Sequence, residues 1–171
     1  MSFVKYITNA YEDKDVLSKL LNYCVNDLDY YGEKTQEVIS ATYNLSPLSK
    51  EYLMNDFNKL KEITHQEHGR QLIHLVVSIF KNNIGESIQE TSARLVMDTI
   101  GQWILASGYQ SVAFIHIKES GNVHIHLIIN NISYITGNRL TNIHGYLTNL
   151  TNLLRYQYSY LCWENPKYGN R

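Results

Sequence analysis

Residues 111–130, SVAFIHIKESGNVHIHLIIN, restrict the fold more than any other part of the chain. Two runs rich in β-branched and apolar residues, about 110–117 and 122–130, flank the turn-forming run Lys118-Glu119-Ser120-Gly121, so the segment reads as a β-hairpin. In an extended strand Val123, Ile125, Leu127 and Ile129 point one way and His124, His126, Ile128 and Asn130 the other. Two imidazoles therefore share a face. If the hairpin pairs residue 116 with residue 124, His116 joins them, with Cβ atoms about 4.5 to 5.5 Å apart across the pair. That register needs an odd-length loop or a bulge near Gly121. Three imidazoles on a rigid two-stranded platform, with no fourth protein ligand evident, make a donor set for a metal ion that keeps open positions. A lone strand histidine is ordinarily a hydrogen-bonded core or edge residue, whereas H-x7-H-x-H across a hairpin is far more specific. His65, His68 and His144 lack such company and read as surface residues.

The rest of the chain supplies further strands and long helices. Segment 2–8 (SFVKYIT) reads as a short strand, and 13–26 as a helix with Val16, Leu17, Leu20, Leu21, Cys24 and Val25 on one stripe. Residues 27–46 are polar and turn-rich and read as a mobile loop. Ser46-Pro47 opens a helix over about 47–63, with Tyr52, Leu53, Phe57 and Leu60 on one side. A strand over 71–80, a helix over about 86–106 that stops before Gly108, a short segment at 134–140 turning at Gly137, a helix over about 141–156 and a last strand around 157–163 complete the pattern. Hairpin-adjacent strands mixed with long helices predict an α+β architecture: one mainly antiparallel sheet with helices against one face.

At 171 residues the chain suits one domain, expected over 1–171. With 44% hydrophobic residues, 18% charged residues and only 2 Pro it is too apolar for a disordered chain. No apolar run nears the roughly 18 to 20 residues that span a bilayer, and the N-terminus shows no signal segment, so a cytoplasmic protein without membrane insertion is expected. Cys24 and Cys162 have no metal-type spacing and read as reduced thiols in or near the core. The formal charge of −1 hides an asymmetry. Residues 1–106 hold 10 Lys and Arg against 14 Asp and Glu, and residues 107–171 hold 5 against 2. A polyanion would therefore meet the C-terminal third, through a local groove rather than a broad basic face. The 14 tyrosines add rings able to stack on unpaired bases, although most tyrosines of a folded domain are half-buried core.

His116, His124 and His126, followed by Leu127-Ile128-Ile129-Asn130 and by Thr136-Gly137-Asn138-Arg139-Leu140, resemble the metal motif of the conjugative relaxases, the mobilisation nucleases among the HUH endonucleases. GRQLIHLVVSIF, with Gly69, Arg70, His74 and Ser78 and then Gly85-Glu86, is similar to the second motif of that family. LSKLLNYCVND is similar to the first, which supplies a nucleophilic tyrosine, and sets Tyr23 in that place. The resemblance runs over about residues 3–163. It implies a Mg2+- or Mn2+-dependent enzyme that nicks one strand at an origin of transfer and stays joined to the 5′ end through a phosphotyrosine. It also implies single-stranded origin DNA as substrate and accessory relaxosome and secretion coupling proteins as partners, with this chain the N-terminal part of a longer protein.

Carried over by residue, the resemblance makes His116, His124 and His126 metal ligands, Tyr23 and Glu86 catalytic, and His74, Ser78 and Asn130 contacts to DNA, although His74 and Ser78 could as well be plain strand residues. Arg139, Arg155 and Lys167 join the DNA contacts because the positive excess lies in their part of the chain. Tyr23 falls just outside the apolar stripe of its helix, beside Lys19, where a ring is anchored and its hydroxyl reaches solvent. Tyr6, Tyr30 and Tyr31 are rival nucleophiles. Relatives often carry an Asp two positions after the first ligand histidine. This chain has Lys118 there, so an acceptor for the outer nitrogen of a ligand histidine must come from elsewhere, and Glu86, His74 and Ser78 are candidates for that role or for DNA contact. A rolling-circle replication initiator has related chemistry but generally places its tyrosine after the metal motif. A module that binds single-stranded DNA without cutting it is the nonenzymatic alternative.

Overall fold

A computed structural model of the chain describes residues 1–9, 11–13, 15–25, 35–46, 49–80, 86–118 and 122–169. In chain order the elements are β1 (Phe3–Ile7), α1 (Val16–Val25), β2 (Thr35–Tyr43), α2 (Lys50–Ile63), β3 (Leu72–Ile79), α3 (Glu86–Ala106), β4 (Tyr109–Lys118), β5 (Val123–Ser133), α4 (Ile143–Gln157), a 3-10 turn (Ser159–Leu161) and β6 (Lys167–Gly169). The strands form one six-stranded sheet in the order β2-β4-β5-β3-β1-β6. Every neighbouring pair is antiparallel except β1 with β6. The architecture is thus the expected α+β sheet.

Helices cover both faces of that sheet, not one. Ile125, Leu127 and Ile129 of β5 share a core with Ala93, Val96, Ile100 and Ile104 of α3 and with Leu147, Leu150 and Leu154 of α4. On the other face Val112, Phe114, Ile128 and Leu72 pack with Leu17, Leu20, Leu21 and Cys24 of α1 and with Leu53 and Phe57 of α2. A strand covered on both sides is apolar at nearly every position, and in β5 only His124 is more than slightly exposed. The register then sets which side chains are neighbours. His116 pairs with His124, His124 with Ser78, and Ser78 with Phe3. One row further along, Phe114, His126, Val76 and Lys5 stand side by side, and next to them Val112, Ile128, His74 and Ile7. The alternation of the pleat puts all of these on the face that carries α1 and α2.

Other sequence expectations change as well. Residues 35–43, read as part of a loop, form edge strand β2 on β4. An edge strand is only half covered, so its Thr- and Ser-rich sequence lacks the apolar run that marks an interior strand. The segment 157–163 is not a strand. It ends α4, makes the 3-10 turn, passes Cys162 at φ 52° and leaves pairing with β1 to Lys167–Gly169. The helix α2 starts at Lys50, capped by the Ser49 hydroxyl accepting from the Tyr52 amide. Pro47, expected in its first turn, lies outside the described residues. The cysteines also differ: both are free thiols, but Cys24 is buried and Cys162 exposed. His65, His68 and His144 are exposed as expected. Among the described residues no helix is long and apolar enough to cross a membrane.

Two close contacts have measurable consequences. A Cβ on Gly101 would lie 2.0 Å from the Tyr43 ring, which α3 presses against the end of β2. Burial beside Asp98 pushes the Tyr43 phenol up to about 12, and its hydroxyl donates to the Met97 carbonyl oxygen at 3.3 Å. Gly101→Ala should therefore destabilise the fold by about 1 to 3 kcal/mol, because overpacking exceeds the gain in helix propensity. Denaturant titration at pH 7 measures this, and a stabilised variant would contradict the contact. Lys61, in the last turn of α2, is 4% exposed, and burial with Arg139 nearby brings its ammonium down to about 8. The unfolded chain then binds more protons than the folded one between pH 8 and 10.5, so stability rises with pH across that window. Lys61→Met should raise stability at pH 7 by roughly 1 to 3 kcal/mol and flatten that rise, measured by denaturation at several pH values.

Candidate active site: a histidine cluster beneath the end of a helix

The cluster begins with the sheet. His116 and His126 come from adjacent strands of the hairpin, and their ring centroids lie 4.6 Å apart. His124 stands directly opposite His116 on the same face and is half-exposed. His74, from β3, lies behind them with its ring 5.4 Å from that of His126. His116 and His126 are 4% and 5% exposed, and His74 is fully buried. Imidazoles this deep must satisfy their nitrogens within the protein, and the structure shows bonds made by all three.

The apolar stripe of α1 packs the helix over β4 and β5, and its last buried residue, Cys24, brings a main-chain carbonyl down onto His116. The His116 Nε2–H donates to that oxygen at 2.6 Å. A carbonyl oxygen can only accept, so the proton of this bond sits on Nε2 of His116. The main chain thus supplies His116 with an acceptor away from position 118. On the other side, His74 Nε2 and His126 Nδ1 are 3.1 Å apart, and the Tyr11 hydroxyl lies 3.0 Å from His74 Nδ1. Tyr11 is fixed in turn, since its carbonyl accepts from the Gln71 amide at 2.8 Å.

One residue before Cys24, Tyr23 is half-buried. Its ring meets the His126 ring edge-on at 5.6 Å and lies 6.5 Å from that of His116. Of the rival tyrosines, Tyr6 belongs to the opposite face of the sheet, pairs with Leu75, and has its phenol raised by burial. Tyr30 and Tyr31 lie outside the described residues.

The residues expected from sequence to contact DNA lie at several places in the fold. His74 has no exposed surface and bonds to His126 and Tyr11. Asn130 is also fully buried, where its amide donates to the Phe57 carbonyl and to Gln110 Oε1, joining α2 to the sheet. Ser78 is 4% exposed beside His124. The Arg139 guanidinium is spent on the carbonyl oxygens of Gln66, His68 and Arg70, and so fastens the turn at Gly137 to the segment before β3. Arg155 lies on α4, against the other face, and bonds to the Trp163 carbonyl and Asn165. Lys167 is at the far edge of the sheet, paired with Glu164 at 2.6 Å and resting over the Phe3 ring. Glu86 is the first residue of α3, and its side chain lies outside what is described.

Sequence reading missed Tyr11 and the Cys24 carbonyl. Tyr11 sits in a polar stretch 63 residues from the histidine it touches, and a main-chain acceptor leaves no residue-type signal. Among the described residues no three His, Cys, Asp or Glu side chains yet converge as metal ligands. The donor set nevertheless suits a divalent ion. Two imidazoles are adjacent with their outer nitrogens held, and a third shares the same pleat directly across the strand pair.

No curated protein matches the chain. A solved structure described as "Molecular Basis of Vancomycin Resistance Transfer in Staphylococcus aureus" aligns with 10% identity and a TM-score of 0.48, covering 98% of this chain and 96% of that one. At that score it adds nothing to the assignment. The family described as relaxase, MobA/VirD2-like, nuclease domain matches residues 23–157, about four-fifths of the 171, and takes in Tyr23 and all four clustered histidines. By that match the chain belongs to the MobA/VirD2-like relaxase nuclease-domain family, a family of DNA-nicking enzymes.

Proposed function

We propose that this chain cuts one DNA strand at an origin of transfer by attack of the Tyr23 hydroxyl on the scissile phosphate. The observation that carries the reading is the packing of the Tyr23 ring against His126 and His116, at the end of a helix bonded to His116 through Cys24. In the reaction Tyr23 Oη loses its proton and bonds to phosphorus, the P–O3′ bond breaks, and the departing oxygen takes up a proton as a 3′ hydroxyl. The 5′ end stays on the tyrosine as a phosphodiester. Because the ester replaces an ester, rejoining needs no ATP.

A phenol ionises near pH 10, so at neutral pH most of the rate must come from holding tyrosine and phosphate in line and from neutralising charge on the phosphate. His116, His124 and His126 would hold a divalent cation, which when bound polarises the phosphate oxygens. Imidazole donors suit transition ions better than Mg2+, which favours Mn2+ of the two. Glu86 is proposed as a further catalytic residue on its motif match alone. Single-stranded origin DNA is the substrate in this reading, the cytoplasm its setting, and relaxosome and secretion coupling proteins its partners, with the chain acting as the nuclease module of a longer protein.

Tyr23→Phe removes one hydroxyl. The variant should keep its fold, its Mn2+ affinity and its DNA binding, yet form no covalent adduct with an origin oligonucleotide on a denaturing gel. Peptide mapping of the native adduct should find the phosphodiester on Tyr23, and finding it on Tyr6, Tyr30, Tyr31 or a histidine would overturn the assignment. Cutting at a replication origin instead would favour a rolling-circle initiator, and DNA binding indifferent to both tyrosine and metal would favour a non-cleaving module. Arg155→Gln should leave the salt dependence of single-strand binding unchanged, whereas a lost phosphate contact would reduce the slope by about 0.7.

A further inference from the structure

We propose that the cavity at the C-terminal end of α2 takes one unpaired guanine of the single-stranded DNA on which the chain acts, with Lys61 donating to the O6 and N7 edge and the acceptors around it taking the N–H groups of the base. The inference rests on the single-strand reading above and adds a base to it. The cavity holds about 190 Å3 and is lined by Asn58, Lys61, Glu62, Glu67 and Gln71. Sites for drug-sized ligands hold about 300 to 1,000 Å3, so this one suits a single planar base and not a whole nucleotide.

Lys61 marks the cavity as a site. The residue is 4% exposed, yet among the described residues its ammonium has no ion pair and no hydrogen bond. A lysine this deep is ordinarily paired, because an uncompensated buried charge weakens the fold. The charged group that acts on it is a second cation, Arg139, whose guanidinium already bonds to the carbonyl oxygens of Gln66, His68 and Arg70. Lys61 is thus a donor held in nearly dry surroundings for an acceptor that the chain itself does not supply.

The other lining groups select what carries that acceptor. Gln71 Nε2 donates to the carbonyl oxygens of Glu67 and Gly69 at 2.9 and 2.7 Å, so what Gln71 offers a ligand is Oε1, which only accepts. Glu62 and Glu67, both exposed, bring carboxylates that also only accept, and the Asn58 amide does either. One positive and two negative side chains line the cavity, and Arg139 beside Lys61 brings the sum to zero. A phosphate gains no net attraction from that set, whereas a neutral group rich in N–H with a strong acceptor for one lysine does. Guanine presents a ring N–H and an amino group together with O6 and N7, the usual partners of a lysine. Adenine and cytosine have an amino group with no ring N–H beside it, and thymine has a ring N–H with no amino group. The cavity also lies within reach of a strand held at Tyr23. Helix α2 covers the face that carries the histidine cluster, and from Gln71 to Val76, the partner of His126, the chain spans about 17 Å at roughly 3.3 Å per residue.

Fluorescence anisotropy with the full chain tests this. The probes are an oligothymidylate longer than the roughly 4 to 16 nucleotides of a single-strand site, and the same strand with one central dG, dA or dI. The dG strand should bind about 5- to 100-fold more tightly than the plain one, as a base read by paired hydrogen bonds does. The dI strand, which lacks only the amino group of guanine, should lose most of that gain, and the dA strand should show little of it. Lys61→Met should abolish the preference for dG, and the Glu62→Gln, Glu67→Gln double variant should lower it several-fold. A dI strand bound as tightly as the dG strand, or a Lys61→Met variant that loses affinity for both strands alike and keeps its preference, would overturn the inference. If Lys61→Met does not fold, the double variant decides, and an unchanged preference there overturns it. A native chain that binds neither strand would overturn the single-strand reading and this inference together. Tight binding of both strands with no preference for dG would overturn the inference alone.

Discussion

The antiparallel register of β4 on β5 is the constraint on which the site depends. Side chains on a pleat alternate with a period of two, so a slip of one residue would send His124 and His126 to the face of α3 and α4. Such a slip would also carry Val123, Ile125, Leu127 and Ile129 out of the larger core. Burying one of these side chains is worth about 1.5 to 3 kcal/mol, so the hydrophobic effect defends the register more strongly than any polar contact at the site could. The histidines are thus held in place by residues that point away from them. Their strands are interior ones, flanked by β2 and β3, with no exposed edge along which to shift.

Covering both faces has an electrostatic result. Imidazoles next to water would be well solvated in any tautomer. Under α1 they are nearly dry, and each unpaired nitrogen would cost about 1 to 3 kcal/mol. That cost turns weak preferences of proton position into definite ones. Similar economy governs the basic residues. Arg139 and Arg155 bond to carbonyl oxygens that strand and helix pairing leave over, so these two charges fasten parts of the fold together.

The hairpin, its facing histidines and their register could be read directly, because a tight turn and strict alternation are local properties of the sequence. The stripe of α1 and the edge position of Tyr23 were legible for the same reason. Strand β2 was not, since as an edge strand it needs little apolar sequence, and the distribution of helices on two faces was hidden because a stripe tells that a helix packs but not on which side of a sheet. Charge counting gave no sign that Arg139, Arg155 and Lys167 all have partners inside the chain. His74 carried its motif signal, but only the fold shows that it meets other side chains and not solvent.

The bond from His116 to the Cys24 carbonyl joins a side chain to a main-chain atom. Every residue type brings that oxygen, so no substitution at position 24 deletes the acceptor. Only the volume of the side chain there is restrained, by the packing around a fully buried thiol. A relative with Ala or Val at this position would keep the same bond if its helix kept the same seat on the sheet. The partner of a buried histidine can therefore remain constant in space while leaving no trace in an alignment, and a search for it by residue identity would come back empty.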